Sequence, residues 1–169
     1  ISGGTDVVGC LVLGNIFSNV HAGEIQGESL GIDVDIFNEK GESVDANHKG
    51  ELVIKNPFPT MPIKFWNDMN NKKLKKAYFS KYKNIWYHGD FIQKTQNGGF
   101  VMLGRSDTTL NPGGVRIGTA EIYRQVENIK FVRESLAVGQ SWKDDVRIIL
   151  FVVMETKKKL GVEEINFIK

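Results

Sequence analysis

The sequence predicts a mixed α/β (α+β) chain in two parts, and three observations carry that expectation. Up to about residue 106, short runs alternate apolar and polar residues between glycine- and asparagine-rich turns, the period-two pattern of half-buried strands. From Asp107 onward the pattern reads strand, helix, strand, strand, helix, which is the content of a small α+β unit. The 169 residues are 41% hydrophobic and 25% charged, ordinary for a folded globular chain and unlike disordered, collagen-like or disulfide-scaffold sequences.

Taken in order, residues 1–31 hold Gly3, Gly4, Gly9, Gly14, Gly23, Gly27 and Gly31 without a period of 3.6, so loops and short strands are expected. Ile32, Val34 and Ile36 then alternate, Asn38-Glu39-Lys40-Gly41 supplies a turn, and Glu51-Leu52-Val53-Ile54 returns as the partner strand. Pro57, Pro59 and Pro62 forbid a central strand or helix, so residues 56–64 are expected to be an extended connection. The lysine-rich stretch 67–83, with Leu74, Ala77, Tyr78 and Phe79 interspersed, suits a short exposed helix. A second hairpin is expected where Gln96-Asn97-Gly98-Gly99 separates Phe91–Lys94 from Phe100–Leu103. Beyond the turn cluster Asn111-Pro112-Gly113-Gly114, a helix should start near Thr119 with Ile122, Val126 and Ile129 on its apolar face. Strands over 135–138 and 147–154 and a helix from about Val162 complete the chain.

Charge and composition exclude several functions. With 22 Lys plus Arg against 20 Asp plus Glu, the net charge of +2 is too small to mark a polyanion as the main partner. The run Lys72, Lys73, Lys75, Lys76, Lys81 and Lys83, interleaved with Tyr78, Phe79, Tyr82 and Trp86, superficially resembles an RNA platform but reads more simply as a solvated helix face. Lys157-Lys158-Lys159 reads as a solvated turn. The single cysteine, Cys10, can form no internal disulfide, and cytosol is the default location. The longest apolar run, Ile148–Met154, falls far short of the ~20 residues a membrane-spanning helix needs. A chain that starts at Ile1 and stops at Lys169 within an amphipathic stretch reads as a window on a longer protein.

Three strings could carry chemistry. In Ser2-Gly3-Gly4-Thr5-Asp6, glycines allow backbone approach to an anion, a threonine hydroxyl can bond phosphate oxygens and a carboxylate can hold Mg²⁺; the same string also suits a plain turn. In Tyr87-His88-Gly89-Asp90-Phe91, one carboxylate could accept hydrogen bonds from both hydroxyls of a ribose, or cap a turn. His21, His48 and His88 show no metal-ligand spacing, and His88 reads as a structural or exposed histidine. The third string is the longest: Gly104-Arg105-Ser106-Asp107, then Asn111-Pro112-Gly113-Gly114-Val115-Arg116, then a helix start with Glu121 in its first turn. Two arginines flanking a glycine turn make an anion-handling loop.

In this order and at these spacings, the three strings resemble the adenylate-forming superfamily, with its Thr-Glu phosphate element, Gly-Asp ribose element and Gly-Arg-x-Asp hinge before a Gly-x-Arg and Glu-Ile helix. Pro57–Pro62, Phe65-Trp66-Asn67-Asp68 and Ala77-Tyr78-Phe79 extend the likeness to the branch that activates acetoacetate. The resemblance implies that residues 1–106 form the β-rich, barrel-like end of a large AMP-binding domain and residues 107–169 the first part of a small C-terminal domain. It implies ATP, CoA and acetoacetate as substrates, Mg²⁺ as cofactor, and neither nucleic acid nor a membrane span; oligomeric state stays open.

The same resemblance implies residue roles. Gly4 and Thr5 would meet the AMP phosphate, and Asp6 would stand at the metal, where most of the superfamily has Glu. Asp90 would hold the ribose with Arg105 beside it. Asp107 would be the hinge of domain rotation, Gly113 and Gly114 would line the path of the CoA arm, and Arg116 would meet phosphate in one of two states. A phosphate-grasping loop would lie upstream of Ile1 and a catalytic lysine downstream of Lys169. The alternative is a non-catalytic piece with a partial nucleotide site, acting as a binding module.

Overall fold

Alternation in the first hundred residues produces two antiparallel sheets. In the computed structural model, which describes residues 1–143, 145–155 and 159–169, β1 (Ser2–Gly4), β2 (Gly9–Leu13) and β3 (Gly27–Glu28) pair in the order β1-β2-β3. β4 (Val34–Phe37), β5 (Lys49–Ile54), β6 (Trp86–Lys94) and β7 (Phe100–Arg105) form the second sheet in sequence order. Only β6 and β7 are joined by a short turn; the β5–β6 connection spans residues 55–85 and contains the lysine-rich helix. The chain divides into two units, Ile1–Met102 and Leu103–Lys169.

The first unit's core lies where the two sheets contribute to one cluster. Val7, Leu11 and Val12 come from the first sheet and its turn, while Ile36, Leu52, Ile54, Trp86 and Ile92 come from the second. All eight are nearly inaccessible, so the inward face of each strand is set by burial. Trp86 is the aromatic centre: Tyr78 stacks on it at 3.7 Å, and Phe58 and Phe79 meet it edge-on at 5.3 and 5.7 Å.

Several expectations need correction. The Asn38–Gly41 turn forms, with Gly41 at φ +80° and its N–H on the Asn38 carbonyl, but it does not lead directly into β5. Its return limb pairs with β4 first, Ser43 opposite Phe37 and the Val44 N–H on the Ile36 carbonyl, before the chain crosses to β5 on the other edge. The proline segment holds a turn in which the Met61 N–H reaches the Phe58 carbonyl, because buried Phe58 anchors it to the core. Only Lys72–Tyr78 of the lysine-rich stretch is α-helix (α1); Asp68 caps it by accepting the Lys73 and Leu74 N–H groups at 2.8 and 2.9 Å.

In the second unit, α2 (Thr119–Val126) stops before Ile129, which lies in the following turn rather than on the helix face. The Glu121 carboxylate starts α2 by accepting the Gly118 N–H at 2.9 Å. The following strands are longer than expected: β8 (Val132–Trp142) and β9 (Asp145–Met154) pair from Val132↔Met154 to Trp142↔Asp145 as one hairpin. The β-branched and aromatic residues on both strands favour that extension. α3 spans Val162–Ile168, and Phe167 meets Phe131 at 5.9 Å. Lys157 and Lys158 lie outside the described residues. No helix among the described residues is long and apolar enough to cross a membrane.

Candidate functional site

The first two strings converge in the first unit. Ser2 on β1 and Asp90 on β6 are both buried, and the Ser2 hydroxyl donates to an Asp90 carboxylate oxygen at 2.8 Å. His88, two residues before Asp90 on the same face of β6, is buried rather than exposed: Trp86 Nε1 donates to its Nδ1 at 3.3 Å. With Nδ1 accepting, Nε2 carries the proton and faces the Gly3 carbonyl at 3.3 Å. His88 Nε2 also stands 3.8 Å from Asp90. His88 therefore bridges β6 to β1 and fixes the strand bearing Asp90.

The glycines here serve packing first. A Cβ on Gly3 would lie 2.1 Å from the Gly9 carbonyl oxygen across the β1–β2 pair, and one on Gly4 would lie 3.2 Å from His88 Cε1. Close contact of backbone with backbone demands glycine at position 3 whether or not an anion is bound, while at position 4 a Cβ would press on the imidazole. Thr5 and Asp6 follow in the β1–β2 turn and are exposed. The Tyr78 hydroxyl donates to Asp6 Oδ2. Because Tyr78 is stacked on Trp86, the Asp6 carboxylate is tied to the aromatic core rather than hanging free.

Beside this cluster lies a half-buried ion pair that no sequence motif marks. Glu51 on β5 is wholly inaccessible and accepts from the Lys81 ammonium at 2.6 Å. Burial pulls the Lys81 pKa down, but the hydrogen bond and charge of Glu51 outweigh it and hold the amine above its ordinary 10.5. Lys81 also lies over the Tyr87 ring at 4.7 Å. Lys81 is thus exposed to solvent yet held by a buried partner, unlike a freely solvated lysine. Tyr82 and Trp86 are buried and Tyr78 and Phe79 half-buried, so these rings offer no stacking platform for nucleic acid.

The third string belongs to the second unit. Ser106–Thr108 is a single 3-10 turn carrying exposed Asp107, whose carboxylate stands 3.6 Å from Arg105 Nε. Leu110 and Ile117 then bridge, so residues 111–116 form a closed loop with Arg116 on its returning limb. At its tip Gly113 and Gly114 have φ +58° and +80°, and a Cβ on either meets no described atom within 4 Å. Positive φ requires glycine here, while the space above stays open. The Gly113 N–H donates to both Asp145 carboxylate oxygens at 2.9 and 3.1 Å.

Among the described residues, no group of three or more His, Cys, Asp or Glu could hold a metal unaided. Asp6 alone still fits Mg²⁺, which is commonly bound by one or two carboxylates with nucleotide phosphates and water completing its shell.

The fold is that of the adenylate-forming enzymes. Against solved structures, the whole chain aligns with 25% of acetoacetyl-CoA synthetase from Streptomyces lividans, with a TM-score of 0.89 and 39% identity. The anthranilate CoA ligase AuaEII in complex with anthranoyl-AMP matches at a TM-score of 0.79 over 98% of this chain and 30% of its own, and at 18% identity that likeness speaks for the fold alone.

More particularly, the chain is homologous to acetoacetyl-CoA synthetases. It is 57% identical over 152 residues to acetoacetyl-coenzyme A synthetase of Rhizobium meliloti (strain 1021), covering 90% of this chain and 23% of that protein. It is 47% identical over 171 residues to acetoacetyl-CoA synthetase of Xenopus tropicalis, covering 100% and 25%. The chain thus spans about a quarter of the length of the curated relatives it matches. No family model matches it.

Proposed function

We propose that this chain is the ribose-binding and hinge segment of an ATP-dependent acid–thiol ligase that converts acetoacetate, ATP and CoA to acetoacetyl-CoA, AMP and pyrophosphate. The observation that carries the reading is the 57% identity to acetoacetyl-coenzyme A synthetase of Rhizobium meliloti (strain 1021) across 90% of the chain. Residues 1–106 are read as the end of the large nucleotide-binding domain and 107–169 as the start of the smaller moving one. The enzyme is read as cytosolic.

The chemistry follows from charge. Carboxylate attack on the α-phosphate of ATP brings like charges together and expels pyrophosphate, leaving an acyl-adenylate. The CoA sulfur, giving up its proton, then attacks the acyl carbon; the bond from that carbon to the bridging oxygen breaks, and AMP leaves carrying one of the two original carboxylate oxygens. Neither step needs a protein nucleophile. Mg²⁺, bound with Asp6 as a protein ligand, would supply positive charge against the phosphates. Thr5 donates its hydroxyl to the α-phosphate, with the Gly4 backbone close by. Asp90, oriented by Ser2 and by the β6 strand that His88 ties down, accepts from the ribose hydroxyls. Arg105 assists at the ribose.

After adenylation, rotation about Asp107 exchanges the surface presented to the nucleotide, a hinge motion in which one or two residues absorb the φ/ψ change. Gly113 and Gly114 then border the pantetheine path, and Arg116 meets phosphate in one of the two states.

The test is pyrophosphate exchange by the full-length protein with acetoacetate, acetate and butyrate as alternative acids. Exchange that favours acetoacetate supports the reading, and exchange that favours acetate or butyrate overturns the substrate assignment. The 169-residue piece alone is expected to form no acetoacetyl-CoA, since the relatives are about four times longer.

A further inference from the structure

The loop tip of the second unit rests on a contact the proposed mechanism does not use. Gly113 and Gly114 both hold left-handed backbone conformations, and such a turn needs something to select it over the alternatives available to two adjacent glycines. The selecting group is Asp145, the first residue of β9. Its two oxygens accept the Gly113 N–H at 2.9 and 3.1 Å, and Oδ1 also accepts its own neighbour's Val146 N–H at 2.7 Å. The Trp142↔Asp145 pair closes the β8–β9 hairpin, so the carboxylate is mounted on a paired strand end rather than on a loose loop. An open groove of about 600 Å³, bordered by Asn111, Gly114, Ser141, Trp142, Lys143 and Asp145, lies against the glycine tip.

We propose that Asp145 is a positioning residue for thioester formation, locking the Gly113–Gly114 tip in the one conformation that leaves the CoA path open. The proposal rests on the reading that CoA passes this loop. A carboxylate suits the task because an ionised acceptor makes stronger hydrogen bonds to backbone N–H than a neutral one. The Gly113 and Val146 N–H groups hold the Asp145 carboxyl below its usual range, so it stays ionised to lower pH than an ordinary aspartate. Without the clamp, the two glycines sample other conformations, and the tip spends part of its time across the groove.

The experiment measures both half-reactions of the full-length enzyme in Asp145→Ala and Asp145→Asn variants, beside Gly114→Ala and Gly114→Leu. The glycine pair tests the underlying reading: both variants strain the same φ, but only leucine fills the open space. If CoA passes there, Gly114→Leu lowers kcat/KM for CoA well below Gly114→Ala. If the clamp operates, Asp145→Ala lowers kcat/KM for CoA by about tenfold or more relative to its effect on pyrophosphate exchange. Asp145→Asn, which keeps a neutral acceptor oxygen, falls between Asp145→Ala and the wild type.

A glycine pair that behaves as expected beside an Asp145→Ala variant with no selective CoA defect overturns the clamp and leaves the loop reading standing. Equal losses in both half-reactions for Asp145→Ala also overturn it, since they mark a merely structural residue. A glycine pair without a bulk effect on the CoA term overturns the loop reading and the clamp with it.

Discussion

Ser2 and Asp90, 88 residues apart in sequence, meet through a 2.8 Å hydrogen bond between a serine hydroxyl and a buried carboxylate oxygen. The bond joins β1, which begins the proposed phosphate element, to β6, which carries the proposed ribose element. Removing the donor leaves a buried anion less well satisfied, a loss of about 1–3 kcal/mol where the group stays dry. In the full-length enzyme, Ser2→Ala is expected to raise KM for ATP several-fold and to lower the melting temperature. Ser2→Thr, which keeps the hydroxyl, should recover most of both; steady-state kinetics and calorimetry check this, and an unchanged ATP KM in Ser2→Ala counts against the orienting role.

The Glu51–Lys81 pair is expected to be conspicuous in stability and silent in chemistry. Removing the amine takes a charged hydrogen bond from a carboxylate with no exposure, so Lys81→Met should cost about 2–4 kcal/mol, less than a fully buried pair because Lys81 remains 35% exposed. Replacing both, Glu51→Leu with Lys81→Met, should recover much of that loss, because no charge is then left in the core. Urea denaturation of the four-member cycle checks the sign: a double variant less stable than Lys81→Met alone would contradict the argument.

Acid should weaken the first unit through Asp35 on β4. Burial pushes its carboxyl up, but the Ser43 hydroxyl, the Ile36 N–H and Lys55 together outweigh that and hold it below the ordinary 3.8. A depressed folded-state value means the stabilisation is fully present above the ordinary carboxylate range and is lost as pH falls through the lowered value. Stability measured from pH 6 downward should therefore fall less steeply for Asp35→Asn than for the wild type below about pH 4. Parallel slopes would exclude Asp35 as a contributor.

Lys81 predicts the opposite edge. Its folded value is raised above 10.5, so its contribution is complete below that pH and is lost as pH rises through the folded value. Wild-type stability should therefore fall more steeply above about pH 10 than that of the Glu51→Leu/Lys81→Met double variant, as read by fluorescence-monitored urea denaturation against pH.

Asp107 gives the sharpest kinetic split. A 3-10 turn such as Ser106–Thr108 has the φ to which proline is fixed, so Asp107→Pro stiffens the turn. If rotation there separates the half-reactions, Asp107→Pro should slow thioester formation by at least about tenfold more than pyrophosphate exchange. Equal slowing of both would place the hinge elsewhere.

The parts of this fold legible in the sequence are those whose cause lies within a few residues. Alternation at Ile32, Val34 and Ile36 predicts a strand because neighbouring side chains take opposite faces, and Asn38–Gly41 predicts a turn because glycine accepts positive φ. Boundaries were less legible. Nothing local says that α2 ends at Val126 rather than Ile129, because its last turn is set by the chain leaving for β8. Gly113 and Gly114 announce a turn by themselves, whereas the carboxylate that holds it comes from 32 residues downstream.

The sequence by itself determined the strand and turn content, the near-neutral charge and a motif order that resembles the adenylate-forming superfamily. Only the tertiary structure decided which residues those motifs rest on: Ser2 behind Asp90, Tyr78 behind Asp6, Lys81 against Glu51, and His88 inside rather than at the surface. The physical reason is separation along the chain. A hydrogen bond between residues tens of positions apart depends on how sheets are stacked and registered, and no short-range pattern records that.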